Sequence, residues 1–486
     1  MSTSPEGPNK GSILESPDEV LSTLGQDGKR RWLYPTLSVG RYLRPRAIVG
    51  WILIAIFTLL PIIQVGGKPA VFINLMDREF TFFGFSLYSN DTVLWMLFIL
   101  TVLIGVFFGT ALLGRVWCGW GCPQTVYLEF VYRPIERLIE GGEAIRQRRN
   151  EGPWTFDKAW RKGLKFAVYG IISLALAHTF VAYFVSWEEL LQWMQRRPRE
   201  NWDFFLMMSI TTGLIFFDFA SFREQMCTIA CPYARFQSVL IDQDSLIVSY
   251  DVGRGEPRGR RTRALRKQEA EGFTLNLGDC IDCGACVRTC PTGIDIRHGL
   301  QMECIGCTQC IDACDAIMFS VNKPAGLIRY TSENALAGKG ARPIRPRTIL
   351  YGAILAVLMT ALLGVLFTRP SIDLAIVRVV NSPFVEYGDG RIGNNLRFSM
   401  QSRGMDRVAS IVAVEPVGSE VKLIGPSPIE LPRGERVRMD TFVIVPPEAF
   451  EDGSAKGIFE IRSEDGKVVR EEFHLLGPSQ VSGDPS

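Results

Sequence analysis

Histidine is nearly absent from this chain of 486 residues: the three present are His178, His298 and His474. That scarcity excludes a bis-histidine haem held within the membrane by a monomer, and no Cys-x-x-Cys-His segment attaches a c-type haem. Neither a phosphate-cradling Walker loop nor a dinucleotide fingerprint is read, so the chain offers no nucleotide cofactor of its own. Net charge is also lacking, with 53 Lys and Arg against 51 Asp and Glu, but the sum averages two compartments and says little. No nucleic-acid partner is expected. A cleavable signal is missing as well. Residues 1–46 are polar and rich in Gly, Pro, Ser and charge, which predicts a disordered tail rather than a leader. Finally, residues 371–486 contain no cysteine, although the chain has 12.

Where the cysteines do stand, their spacing carries chemistry. Cys280, Cys283, Cys286 and Cys290 are followed by Cys304, Cys307, Cys310 and Cys314, writing C-x2-C-x2-C-x3-C twice, with Pro291 after the first block. This is the two-cluster bacterial ferredoxin pattern, in which the fourth thiolate of each cubane comes from the other run. The spacing therefore assigns Cys280, Cys283, Cys286 and Cys314 to one [4Fe–4S] cluster and Cys304, Cys307, Cys310 and Cys290 to the other. Zinc knuckles prefer longer gaps between paired cysteines, and a disulfide framework needs an oxidising compartment. Single-electron transfer is the chemistry this pattern serves.

Long apolar runs predict about five membrane spans, near 48–66, 93–113, 165–185, 203–221 and 349–367. Lysine and arginine concentrate before the first, between the second and third, and before the fifth, whereas residues 67–92 hold only Lys68 and Arg78. Arg196, Arg197 and Arg199 in residues 186–202 dissent mildly. The balance places the amino terminus and the ferredoxin inside and the carboxyl terminus outside. All the cysteines then fall on the reducing side.

A second cysteine set follows the second and fourth spans: Cys118 and Cys122 before Pro123, and Cys227 and Cys231 before Pro232. Each C-x3-C-P is preceded eleven residues earlier by a Phe pair (Phe107 and Phe108; Phe216 and Phe217) and followed by an aromatic, Tyr127 or Phe236. The match reads as an internal repeat. An i, i+4 spacing predicts both sulfurs of a pair on one helix face, so four thiols would converge at the inner surface. Soft thiolates there suit Cu(I), another iron–sulfur cluster or a redox dithiol; packed small residues at helix ends are the plain alternative. His178, in the third span, reads as a packed residue or as a proton or metal group. Arg254, Arg258, Arg260, Arg261, Arg263, Arg266 and Lys267 form a basic linker suited to anionic lipid headgroups or to a soluble donor. Beyond residue 371 short alternating apolar runs predict an antiparallel β-sandwich that contacts proteins or caps the anchor.

Together these motifs resemble the CcoG/FixG/RdxA accessory proteins over about residues 30–480. The fold class expected is a multi-domain integral membrane protein with an α-helical membrane domain. An α+β two-cluster bacterial-type ferredoxin is inserted in it, and a C-terminal all-β Ig-like sandwich follows. The expected organisation is a tail (1–46), a four-span domain (47–248), a basic linker (249–272), the ferredoxin (273–322), a second linker (323–348), a fifth helix (349–368) and a periplasmic Ig-like domain (371–480). The resemblance implies a multi-pass protein of the bacterial inner membrane that reduces Cu(II) to Cu(I) for assembly of a cbb-type cytochrome oxidase. Cys118, Cys122, Cys227 and Cys231 would then bind copper and carry the reduction. Implied partners are membrane lipid, a cytoplasmic or quinol electron donor, a copper-exporting ATPase, and oxidase subunits or assembly factors. A quinol-linked membrane ferredoxin feeding a partner reductase and a non-catalytic assembly scaffold are the other readings. One departure from the pattern stands at Asp315, where a proline usually follows the last cluster cysteine.

Overall fold

The computed structural model describes residues 23, 29–65, 67–75, 78–88, 91–260, 277–379, 383–403 and 406–478. Arg261, Arg263, Arg266 and Lys267 of the basic linker lie outside them. The chain forms two compact units, one of residues 1–61 and 97–359 and one of residues 62–96 and 360–486.

Among the described residues, four helices are long and apolar enough to cross a membrane: Thr92–Leu113, Phe156–Val181, Trp202–Phe222 and Pro346–Thr368. The predicted first span is corrected. Its helix is Leu43–Leu59, of 17 residues, and Gln64–Val65 already pairs as a short strand with Lys68–Pro69. At 1.5 Å per residue such a helix is about 26 Å long, just under the roughly 30 Å hydrocarbon layer.

The tail expected over 1–46 is also corrected where it is described. Thr36 N donates to Arg288 O (3.0 Å), and Thr289 Oγ1 donates to Thr36 O (2.8 Å), laying this segment along the ferredoxin. The carboxylate of Asp312 then accepts from Tyr42 N (3.1 Å) and Leu43 N (3.0 Å). A helix start leaves backbone donors unpaired, and here a residue some 270 positions away in sequence caps them. Gly40 permits the approach, since a Cβ there would stand 2.4 Å from Asp312 Cγ.

The ferredoxin is larger than 273–322. Strand Ile247–Tyr250, which straddles the expected boundary between the four-span domain and the basic linker, pairs antiparallel with Ile328–Thr331, from the expected second linker. Between them lie the helices Ala285–Arg288 and Gln309–Ser320. Asp315 sits inside the latter, where a proline would remove a helical donor. Its carboxylate instead accepts from Gly326 N (2.8 Å).

In the other unit, strands 372–378, 385–386, 392–402, 420–424 and 436–445 form one antiparallel sheet, and 407–415, 429–431, 454–463 and 468–476 form another. Their inner faces meet around Phe398, Leu396, Val443, Phe459 and Ile461, all fully buried. The string Gly388-Asp-Gly390-Arg-Ile-Gly393 has dinucleotide-fingerprint spacing. It is a turn running into strand Ile392–Ser402, however, and lacks the strand-to-helix setting that cradles a pyrophosphate. A three-stranded sheet of Val71–Asn74, Glu79–Phe82 and Phe85–Tyr88 belongs to the same unit. Asp91, just after it, accepts from Arg369 (3.1 Å) and Arg403 (2.7 Å).

Candidate electron-transfer site

The two C-x2-C turns share a backbone shape. Asp282 and Gly284 flank Cys283 with φ of 51° and 67°, and Gly306 and Thr308 flank Cys307 with φ of 65° each. Left-handed residues on both sides of a cysteine wrap the chain around a point and turn successive amides inward. Burial pushes Cys314 up to about 12, with Cys286, Cys280 and Cys283 adding to it in that order. Burial also pushes Cys307 up to about 12 and Cys304 up to about 11, with Cys290 beside both. Cys310 is raised well above the ordinary cysteine range by burial and by Cys307, Cys304 and Cys290. Cys314 thus lies near the first run, and Cys290 near the second, with Cys286 also acting on Cys310. A small cavity lies among Cys286, Cys290, Cys304, Cys307 and Cys310, walled by Ile294, Ile296 and Ile305. All-thiol donors in a buried apolar wall fit iron–sulfur clusters, whose positive iron would displace the thiol protons.

The C-x3-C-P segments differ from expectation. They do not keep both sulfurs on one helix face, because the helix stops between them. Cys118 lies in the turn Val116–Trp120, whereas Cys122 is extended (φ −65°, ψ 126°) and begins the helix that Pro123 opens. Cys227 lies in the wide turn Met226–Ala230, and Cys231 is likewise extended (φ −70°, ψ 111°) ahead of Pro232. Proline has no N–H to continue a helix and drives the residue before it out of the helical region. The break places the second sulfur at a helix start. Burial raises the Cys122 thiol, and the backbone N–H groups of Thr125 and Gln124, aimed at its sulfur, pull it back.

The four thiols lie near enough to influence one another. Burial, then Cys122, pushes Cys118 up to about 12, with Arg115 opposing and Cys231 and Cys304 adding. Cys227 is raised by burial and then by Cys122, Cys118 and Cys231. Among the described residues no three His, Cys, Asp or Glu side chains gather closely enough to hold one metal ion in common. Cys118 packs in one cluster with Ile305 and Cys307 of the ferredoxin, with Cys227 and Tyr233 against it. The approach is close enough that a Cβ on Gly119 would stand 2.7 Å from Gly306 O.

Several residues that hold this junction carried no motif. Gln237, 1% exposed, accepts from Cys118 Sγ (3.0 Å) and donates to Tyr233 OH (2.6 Å). Arg46, also 1% exposed, donates to Gly119 O (2.7 Å). Arg115 donates to Cys304 O (3.2 Å), to Met302 O and to Ala234 O, joining the first exit, the second exit and the ferredoxin. Trp120 Nε1 donates to Tyr330 OH (3.0 Å), which donates to Gly306 O (2.9 Å). Reading Arg46 and Arg115 as topology charges hid their role, since charge counting ignores burial. His178 and His298 stand apart from the thiols: His178 Nδ1 pairs with Leu174 O (2.8 Å), and His298 ends a short turn of the ferredoxin.

A buried ion network ties the repeat halves. Glu136 accepts from Arg223 (2.6 Å) and Arg146 (2.8 Å), and Lys165 reaches Glu140 (3.0 Å). Burial alone would raise the Glu136 carboxyl, but Arg223, followed by Lys165 and Arg146, holds it at about 2.

Comparison with known proteins agrees with this geometry. A 4Fe-4S dicluster domain family matches residues 222–333, and a 4Fe-4S binding domain family matches residues 95–141. The Ig-like fold at the C-terminus of FixG matches residues 362–478. Protein RdxA of Cereibacter sphaeroides is 35% identical over 80% of this chain and 85% of its own length. Nitrogen fixation protein FixG of Rhizobium meliloti is 30% identical over 92% of this chain and 94% of its own. Protein RdxB of C. sphaeroides is 32% identical over 80% and 83% respectively. Both C-x3-C-P pairs fall inside matched iron–sulfur regions.

Proposed function

This chain belongs to the RdxA/FixG family of iron–sulfur electron-transfer proteins, and on that premise we propose that it is a cupric reductase of the bacterial inner membrane. The observation that carries the reading is the packing of Cys118 in one cluster with Cys307 and Ile305, with Cys227 against that cluster. Cys280, Cys283, Cys286 and Cys314 would hold one [4Fe–4S] cluster and Cys304, Cys307, Cys310 and Cys290 the other. When bound, such clusters supply one-electron carriers of tunable potential. The chain's residues do the positioning: Arg115, Tyr330 and Gly119 fix the ferredoxin against the thiols, and Ile305 excludes water between them.

Cu(II) is the substrate. Thiolates select Cu(I), so Cys118, Cys122, Cys227 and Cys231 would favour the reduced ion, and the amides at Cys122 would help its sulfur give up its proton. The Cu(I) formed would pass to a copper-exporting ATPase and serve assembly of a cbb-type oxidase. In this reading the ferredoxin and amino terminus are cytoplasmic and the sandwich periplasmic. Residues 62–96 and 360–486 share one compact unit, as two segments on the same side of a membrane would.

A quinol-linked ferredoxin is the second reading. Likeness to an Escherichia coli protein described as an electron transport protein, YccM, 25% identical over 58% of this chain and 66% of its own length, supports electron transport in either reading.

The deciding experiment is anaerobic Cu(II) reduction by dithionite-reduced protein, with Cu(I) trapped by a chelator. Wild type is compared with a Cys118/Cys122/Cys227/Cys231→Ala variant of equal iron content. Stoichiometric Cu(I) from wild type, lost in the variant, is expected. Equal slow reduction by both would reject the site.

A further inference from the structure

A cavity of about 580 Å³ opens between the helices Phe156–Val181 and Trp202–Phe217, lined by apolar side chains including Leu174, Phe204, Phe205 and Met208, with Arg196 and Arg197 also in its wall. Its existence is built into the sequence. Gly170 and Gly213 both line it, each within a helix, where glycine costs roughly 1 kcal/mol relative to alanine. Glycine in paired membrane helices usually lets backbones touch. Here a Cβ on either residue would meet nothing within 4 Å, so these glycines leave room rather than allow contact.

Two polar groups in the wall lack protein partners. Thr212 Oγ1 and Asn201 Nδ2 are buried without a hydrogen bond. Threonine in a membrane helix ordinarily satisfies itself on the carbonyl four residues back. Thr58, Thr101, Thr179, Thr211 and Thr368 all do so, at 2.7–3.0 Å. Thr212, next to Thr211 and lining the cavity, does not. His178 is a further polar group of the wall. Its Nδ1 faces the carbonyl of Leu174, which can only accept, so Nδ1 carries the proton and Nε2 of the neutral ring is an acceptor.

We propose that this cavity binds the ring of a membrane hydroquinone, the electron donor of the reductase. The wall combines donors (Asn201 Nδ2 and the Thr212 hydroxyl) with an acceptor (His178 Nε2) in an apolar slot. A hydroquinone gives an O–H to the acceptor, and its oxidised carbonyls take the donors. Arg196 and Arg197, which also line the cavity, would suit a lipid phosphodiester, but that group has no proton to offer His178. Apolar lining suits the ring and the start of an isoprenoid tail. The inner end of the cavity, Phe216, packs on the aromatic cluster that includes Tyr127, five residues past Cys122. The stoichiometry closes: one hydroquinone yields one quinone, two protons and two electrons, and two Cu(II) become two Cu(I). His178 Nε2 takes one proton and water the other. The role as donor rests on the copper reading; the binding site does not.

The test uses the full-length protein in lipid nanodiscs with a photoreactive azidobenzoquinone. Labelled peptides are mapped by mass spectrometry. Labelling is expected on the segments holding His178 and Thr212, suppressed by a decyl-substituted benzoquinone and not by phosphatidylglycerol. Gly213→Leu should abolish it, and Thr212→Val should weaken competition by about three- to tenfold. Both variants should keep wild-type iron content and dithionite-driven copper reduction, while hydroquinone-driven reduction falls at least about tenfold in Gly213→Leu. No labelling of these segments, or suppression by phosphatidylglycerol alone, would overturn the proposal. If wild type fails to reduce copper with dithionite, the copper reading falls and the labelling still judges the quinone site.

Discussion

Cys118 carries the sharpest consequence at the scale of single residues. Burial keeps its thiol protonated until about pH 12, and Cys122 and Cys227 are raised in the same direction. Each thiolate that binds Cu(I) must therefore release a proton at neutral pH. Affinity should rise by about tenfold per pH unit for each proton released. Chelator competition at pH 6, 7 and 8 measures that slope; a flat profile would mean the thiols do not ligate. Glu136 gives a second case, because its carboxylate neutralises Arg223 and Arg146 in a buried setting. Glu136→Gln should cost about 3–5 kcal/mol, read as earlier thermal unfolding in detergent at unchanged iron content. With its folded value near 2, below the ordinary carboxylate range, Glu136 lends stability that is present at neutral pH. That stability is lost as pH falls through about 4 toward 2, so the wild-type melting temperature should drop across this window and that of Glu136→Gln should drop less.

Among elements, two junctions matter. The first exit turn lies on the ferredoxin's second cysteine loop, with Gly119 at the contact. Gly119→Val should push the two apart, leaving both clusters assembled and slowing dithionite-driven copper reduction by about an order of magnitude or more. Stopped-flow bleaching of the clusters by Cu(II) would show it, and an unchanged rate would place the copper elsewhere. The other junction is the cap that Asp312 provides to the helix Leu43–Leu59. Asp312→Ala should destabilise by about 1 kcal/mol and Asp312→Asn by less, measured by thermal shift. The cysteines themselves announced both cluster groups, since thiol spacing is a local property. The trans cap was illegible, because nothing local to residues 29–46 says what they will meet.

For the whole molecule, the expected outcome is two faces on opposite sides of a membrane. Leu138 and Val417 are both highly exposed, at 84% and 89%. A membrane-impermeant maleimide added to intact spheroplasts should label Val417→Cys, and should label Leu138→Cys only after lysis. Labelling of both from outside would reject the orientation. Asp91, bonded to Arg369 and Arg403, holds the loop sheet to the sandwich within one unit. The charge count along the chain treated that loop as a plain connector.

Cysteine spacing and apolar run length were enough to determine the iron–sulfur domain, four of the membrane-length helices and the sandwich, because each depends on residues near one another in the chain. The tertiary structure decided what lies between those pieces. Pro123 and Pro232 break the helices so that the second thiols sit at helix starts, Cys118 meets Cys307, and Gln237 reaches across to Cys118. Gly170 and Gly213 open a cavity where sequence would read only two weak points in helices. These are contacts between segments distant in sequence, fixed by the packing of buried groups against one another, and no local pattern encodes them.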